Sequence, residues 1–403
     1  MLESENYKVF QGSNLDVLPT LPDNSVDAIV TDPPYELGFM GKSWDSSGIA
    51  YSVELWRECL RVLKPGGHLL AFSGSRTYHR MVVAIEDSGF EIRDMVSWIS
   101  NKTFPKSMDV SKAIDKAAGA DRKVVGINPN VVREAKVVGG SDFGGFTRAN
   151  AEITEAATDD AKKWAGWGTA LKPTVEPIVM ARKPLDGTVA HNVLTWGVGG
   201  LNIDASRIKT TDNFGGGAKG SSGFAANYSN EGWVAGSDLG RWPANVILDE
   251  EAATIVDEQS GQSKSPSTYT RNTDSFGQTS YQAGQVAGTL SINYGDEGGA
   301  SRFFYVARAS KSDRNEGVES NPHPTVKPTS LMTYLIKLIA PEGSTILDPF
   351  TGSGSTGKAA LLNGYKFIGI ELTEEYLPII KGRLDHAEET YKQTKEEESG
   401  TLF

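Results

Sequence analysis

The sequence holds a single cysteine, Cys59, in 403 residues. One thiol cannot make an internal disulfide or a cysteine-based zinc site, and no metal centre is expected. Cys59 falls within an expected helix and reads as a packed residue, not as a nucleophile. No apolar run approaches the length of a membrane span. The N-terminus, MLESENYKVF, has no basic stretch followed by an apolar one, so it does not read as a signal peptide. These absences point to a reducing, cytoplasmic setting. Basic charge is also short: 40 Lys and Arg stand against 51 Asp and Glu, a net charge of −11. This excludes a protein that coats nucleic acid through bulk charge. It does not exclude a local basic face, because phosphate affinity depends on where the charges lie. Part of the acidity sits in KEEES (395–399), read as a solvated end.

What is present is a strand and helix rhythm at both ends of the chain. YKVF (7–10) and VDAIVT (26–31) read as strands, with LDVLPTLPDNS between them as helix and turn. Ser52 to Leu63 carries Val53, Leu55, Trp56, Leu60 and Leu63 at helical spacing. Pro65, Gly66 and Gly67 end that helix, and HLLAF (68–72) reads as a buried strand. Arg76 to Asp87 reads as helix and FEIRDMVSWI (90–99) as strand. Near the end, Thr329–Ala340 and Ser355–Asn363 read as helices, STILD (344–348) and KFIGIE (366–371) as strands. A long helix follows from Thr373. The alternation predicts a doubly wound α/β fold, its parallel sheet covered on both faces. The middle is different: 101–170 is polar, TVEPIVMARKP (174–184) reads as one more core strand, and 186–302 is rich in Gly, Ser, Asn and Thr. Within it, 211–230 reads as a loop.

Two motifs follow directly on strands, where ligands gather in such folds. The first is LDPFTGSGSTGKAA (347–360). Gly352 to Lys358 fits GxxxxGK, the start of a phosphate-binding loop, but Ala359 stands where that loop needs Ser or Thr for its magnesium ion. The alternative is a loop for an adenosine-containing cofactor, with Lys358 an exposed residue of the following helix. The second motif is Asp32-Pro33-Pro34-Tyr35. Two prolines fix the backbone and remove two amide donors. The loop therefore offers a carboxylate and carbonyl oxygens, an acceptor site suited to an exocyclic NH2. Hydrogen bonds to Asp32 and the Pro33 carbonyl would localise the amine lone pair for attack on a methyl group. Tyr35 offers a face for base stacking, worth roughly 1–3 kcal/mol. A base in a duplex reaches such a pocket only when flipped out.

Together these residues resemble the β group of amino DNA methyltransferases, in a form like that of phage and prophage members. The resemblance rests on TDPPYELGFMGKSWD (31–45), RVLKPGGHLLAF (61–72), HPTVKP (323–328), ILDPFTGSGSTG (346–357) and FIGIEL (367–372), in that order. It implies a mostly parallel, seven-stranded Rossmann-like sheet with circularly permuted motifs and a large insertion. It implies S-adenosylmethionine as methyl donor, double-stranded DNA as partner, and adenine N6 as target, with cytosine N4 as the alternative. Several relatives are dimers, so a homodimer is compatible with it; a restriction-enzyme partner is left open. A catalytically silent DNA-binding relative is a further alternative. Carried onto this chain, Asp32, Pro33, Pro34 and Tyr35 are the catalytic set. Asp348, Pro349, Phe350, Gly352, Ser353 and Gly354 form the cofactor loop, with Asp348 or the loop backbone facing the methionine ammonium. Glu371 would accept from the ribose hydroxyls, and Lys327 would help hold the methionine end. Gly12-Ser13 stands where the family usually has Gly-Asp, so Ser13 brings no carboxylate to the adenine.

The implied organisation is a catalytic half (1–100), an insertion with a returning strand (101–185), a target-recognition region (186–302), a cofactor half (303–390) and an acidic tail (391–403). Two basic clusters could follow phosphates: Lys102, Lys106, Lys112, Lys116, Arg122 and Lys123, and then Lys162, Lys163, Lys172, Arg182 and Lys183. Trp196, Trp233 and Trp242 are read as packing residues.

Overall fold

A computed structural model describes residues 1–38, 43–101, 107–127, 152–209, 240–264, 269–270, 290–291, 297–308 and 312–400. The expected loop at 211–230, Trp233, Lys102 and Lys106 lie outside the described residues. The chain divides into two units, one of Met1–Asn101 with Val175–Phe403 and one of Lys102–Thr174.

The larger unit is built on one sheet. Its strands are β1 (Leu2–Glu3), β2 (Tyr7–Gln11), β3 (Val26–Thr31), β4 (Leu63–Phe72), β5 (Glu91–Ile99), β6 (Val175–Arg182), β7 (Val246–Asp249), β8 (Tyr305–Ala307), β9 (Thr345–Asp348) and β10 (Lys366–Glu371). Their order is β1-β2-β10-β9-β3-β4-β6-β5-β7-β8. Only β1 and β6 run against the rest. The sheet is thus mostly parallel, as expected, but has ten strands and not seven. β1, β7 and β8 are two, four and three residues long, too short to carry a readable period. Residues 246–249, inside the stretch assigned to target recognition, pair with β5 and β8 in this sheet. The β4 strand also starts earlier than expected: Pro65, Gly66 and Gly67 lie inside it.

Burial explains the strand sequences. In VDAIVT, five of the six positions are buried, as a parallel strand covered on both faces requires. One face packs against α1 (Val53–Val62) and α2 (Tyr78–Asp87) through Leu55, Trp56, Cys59 and Ile85. Ser52 starts α1 by accepting a hydrogen bond from the Leu55 amide at 3.2 Å. The expected placing of Cys59 as a packed residue holds, because it is fully buried. The other face is covered by α4 (Thr329–Ile339) and α5 (Ser355–Leu361), through Leu331, Leu335, Ala359 and Ala360. The helix α3 (Glu250–Ser260) joins β7 to β8, and α6 (Leu377–Gly400) closes the chain. The helical connections from β9 and from β3 lead to opposite sides of the β9/β3 pair, which makes that pair the switch point where ligands bind.

The smaller unit has its own buried charge. A helix (Val110–Ala117), a hairpin of Lys123–Ile127 with Glu152–Glu155, and a helix (Asp159–Lys163) meet at Asp115. Burial alone would raise the Asp115 pKa. Donors from Ala157, Thr158 and Arg122 outweigh it and hold the carboxyl at about 2. None of the described helices is long and apolar enough to cross a membrane.

Candidate active site

The two motifs meet at the carboxyl ends of β3 and β9. Thr31 Oγ1 donates to Asp348 Oδ1 at 2.6 Å, across 317 positions of sequence. Thr356 Oγ1 donates to Asp348 Oδ2 at 2.6 Å, and the Phe350 amide to Oδ1 at 3.0 Å. Both carboxylate oxygens are engaged. Asp348 therefore ties the two strands together and turns the loop. Burial raises its pKa to about 6, against the pull of the two hydroxyls.

The loop itself bends at Gly352, φ +55°, and again at Gly354, in the left-handed region that favours glycine. The Gly352 amide donates to Glu371 Oε2 at 2.7 Å, and the Thr373 amide to Oε1 at 2.8 Å. Glu371 thus stands at the end of β10 as expected, with acceptor capacity left on each oxygen. The Gly12 amide donates to the Glu371 carbonyl at 2.9 Å, which brings Gly12 and Ser13 beside it. Ser13 precedes a short helix at Asn14–Val17 and makes no capping bond through its side chain. Pro349 is buried and Phe350 packs partly into the core.

Two residues here are not placed as expected. Ser353 turns inward: its carbonyl and hydroxyl accept from Arg383 Nη1 at 2.7 and 3.0 Å. These bonds brace the loop from its inner side. Lys358 is fully buried, not exposed. Its ammonium is 2.6 Å from Asp313 Oδ1 and 2.7 Å from Glu316 Oε2. The lysine that imitates a phosphate loop is a buried ion-pair partner. Gly357 is a packing residue: a Cβ there would lie 2.6 Å from the Phe367 ring.

The Asp32-Pro33-Pro34-Tyr35 motif shows the sharpest arrangement. Lys327 lies beside it and not in the cofactor loop. Its Nζ donates to Asp32 Oδ2 at 2.7 Å and to the Tyr35 hydroxyl at 3.1 Å, and lies 3.2 Å from Glu176 Oε2. The rings of Tyr35, Phe72 and Trp98 have their centroids 5.3, 4.8 and 5.9 Å from that nitrogen, within cation–π range. The Tyr35 hydroxyl donates to Glu176 Oε2 at 2.6 Å. Pro33 is buried, Pro34 is half-buried, and the Tyr35 carbonyl accepts from Thr77 Oγ1 at 2.8 Å. Asp32 Oδ1 is buried and has no hydrogen-bond partner among the described residues. Burial raises the Asp32 pKa, Lys327 lowers it and Glu176 raises it again; the net direction is up. Burial pulls the Lys327 pKa down, but the two carboxylates outweigh it and raise it, so the ammonium stays charged.

Glu176, Thr31, Thr356 and Arg383 were not singled out from the sequence. Thr31 and Thr356 flank the motifs, and their hydroxyls next to a buried aspartate were the available signal. Glu176 was visible only as the one acidic residue in an otherwise apolar strand. His323 is another: its ring stacks edge-on to Tyr376, and a Cβ on Gly352 would be 3.2 Å from its Nε2.

A mostly parallel α/β sheet with a glycine loop, an acidic residue at the end of the next strand and an acceptor-rich proline loop at its switch point is the class of fold that holds a nucleotide-type cofactor. A model of the N6/N4 DNA methylase family matches residues 26–382, and the chain belongs to that family. The chain is 39% identical over 88 residues to the DNA adenine methyltransferase YhdJ of Escherichia coli K12, covering 21% of this chain and 30% of that protein. It is 30% identical over 154 residues to the type II methyltransferase M.HindIII of Haemophilus influenzae, covering 37% and 38%. The chain thus spans well under half the length of these relatives. Among solved structures, the M1.HpyAVI complex with S-adenosylmethionine aligns over 94% of this chain and 99% of that one, at 15% identity and a TM-score of 0.40. The cytosine-N4-specific PvuII DNA methyltransferase aligns over 97% and 93%, at 12% identity and a TM-score of 0.42.

Proposed function

We propose that the chain methylates the exocyclic amine of a base flipped out of double-stranded DNA, with adenine N6 as the target, in the cytoplasm. The observation that carries this reading is the lone acceptor, Asp32 Oδ1. It is buried without a partner among the described residues, and such an atom calls for a donor. It sits beside two prolines that contribute no N–H, so the loop around it accepts and does not donate. An amine meets this need with two N–H groups, one for Asp32 and one for the Pro33 carbonyl. Those bonds localise its lone pair. No nucleophilic side chain is needed, and direct transfer without a covalent enzyme intermediate follows.

The residues present fit S-adenosylmethionine, which supplies an electrophilic methyl group on a sulfonium. Glu371 keeps acceptor capacity for ribose hydroxyls, and the left-handed turn at Gly352 lets backbone come close where a side chain would be strained and would crowd His323. The buried Lys358 and the packed Gly357 are unavailable to cradle a phosphate. The choice of adenine rests on the resemblance, in which Asp at the first motif position goes with adenine and Ser with cytosine N4. The DNA adenine methyltransferase among the relatives supports it.

Single-molecule sequencing of DNA from cells expressing the chain tests this directly. N6-methyladenine in one sequence context is expected. N4-methylcytosine would replace the target, and no modification would overturn the reading. In the Asp32→Ala variant methylation is expected to vanish while S-adenosylmethionine still binds; substantial retained activity would remove Asp32 from its role.

A further inference from the structure

Lys327 creates a difficulty for the site just described. An ammonium 2.7 Å from Asp32 neutralises it, and a neutral ion pair is a poor acceptor for an amine that gains positive charge as it is methylated. Glu176 removes the difficulty. Its Oε2 lies 3.2 Å from the same ammonium and accepts from Tyr35 at 2.6 Å. The three donors of Lys327 are then matched to three acceptors: Asp32, Tyr35 and Glu176. Two carboxylates share one ammonium, and the cluster keeps one net negative charge. Tyr35 does not change that count, since burial and the two carboxylates push its hydroxyl pKa well up. Phe72 and Trp98 close the remaining sides, and Lys327 is only 8% exposed.

We infer that Glu176 is a positioning residue: by sharing Lys327 it leaves Asp32 free to act as a net negative acceptor beside the target amine. The inference rests on the methyl-transfer reading above. Preorganised charge aimed at a developing opposite charge is worth one or more orders of magnitude in rate. Nothing on the β6 strand itself requires a carboxylate at 176, which makes Glu176→Gln a near-isosteric test that removes charge and keeps an acceptor.

Four groups face Asp32: Lys327, Glu176, Tyr35 and, across the switch point, Asp348. In Glu176→Gln, kcat is expected to fall roughly tenfold or more, with KM for DNA and affinity for S-adenosylmethionine little changed. The loss of a like charge also lowers the Asp32 pKa, so the acid limb of the kcat profile moves to lower pH. The decisive variant combines Glu176→Gln with Lys327→Met. It restores one net negative charge in a box already lined by aromatic rings. It is expected to be more active than Glu176→Gln alone. A double variant no better than the single one, or an unmoved acid limb, would overturn the charge-sharing role. Carboxyl 13C NMR titration of Asp32 in the purified chain, without DNA, reads the same downward shift. If the wild type modifies no base, the methyl-transfer reading fails, and the titration still decides whether Glu176 and Asp32 share Lys327.

Discussion

Lys358 and Lys327 are both lysines that a local reading places in the wrong surroundings. Lysine in the first turn of a helix is usually solvated, and the residues that bury Lys358 are more than forty positions away. Asp313 contributes a carboxylate and a carbonyl, and Glu316 a second carboxylate. Arg383, also fully buried, approaches the same Asp313. Replacing Lys358 by Met would leave the largely buried Asp313 and the partly exposed Glu316 without their ammonium. A fully buried pair broken on one side typically costs about 3–5 kcal/mol, and the exposure of Glu316 and the nearby Arg383 put this loss at the low end of that range. Urea unfolding of Lys358→Met should show a loss of that order, whereas an exposed lysine would give almost none. Lys327 errs in the other direction. The resemblance assigns it to the methionine end, whereas its ammonium lies against Asp32, and its partner Glu176 comes from a strand whose antiparallel insertion between β4 and β5 no local pattern announces. By contrast, the acceptor character of DPPY was legible from four residues, because proline chemistry does not depend on what surrounds it.

Elements were legible in proportion to their length. The strand β3 and the helices α1 and α4 are long enough to show an apolar run or a helical period, and each lies within a residue or two of its expected bounds. The glycine loop between β9 and α5 was legible in type but not in detail. Its glycines announce a ligand turn, yet nothing in the sequence says that Ser353 turns to Arg383 or that Asp348 is taken up by Thr31 and Thr356. At Gly352 the conformational requirement is explicit. Alanine there would sit at φ +55°, with its Cβ 3.2 Å from His323 Nε2. The left-handed backbone alone costs about 1–2 kcal/mol, in a loop whose amide also holds Glu371. Gly352→Ala should therefore weaken S-adenosylmethionine binding roughly tenfold in calorimetry. Gly343→Ala provides the contrast: φ is +75° there too, but nothing lies within 4 Å of the new Cβ. It should lower stability and leave cofactor affinity unchanged. Equal losses of affinity in the two variants would show that general strain, not loop geometry, is being measured.

For the molecule as a whole, the proposed function calls for a stretch that reads DNA. The sequence favours 186–302, on composition and on the resemblance. The exposed lysines of the smaller unit offer a second candidate. The strand β6 runs against its neighbours, so it begins at the carboxyl edge, and β5 ends there. Trp98, near the end of β5, and Glu176, at the start of β6, both contact Lys327. The segment after β6 instead leaves from the amino edge, and β7 and β8 start from that edge as well. Lys112 and Lys116 are exposed, one turn apart on the helix Val110–Ala117, which puts them on one face. If that face follows phosphates, Lys112→Glu with Lys116→Glu should weaken DNA binding about tenfold near physiological salt. The slope of log K against log salt should become shallower by about 2, one unit per lost contact. Cofactor affinity should not move. Fluorescence anisotropy with a duplex across a salt series measures all of this. An unchanged slope would clear this helix of phosphate contact and return the task to 186–302.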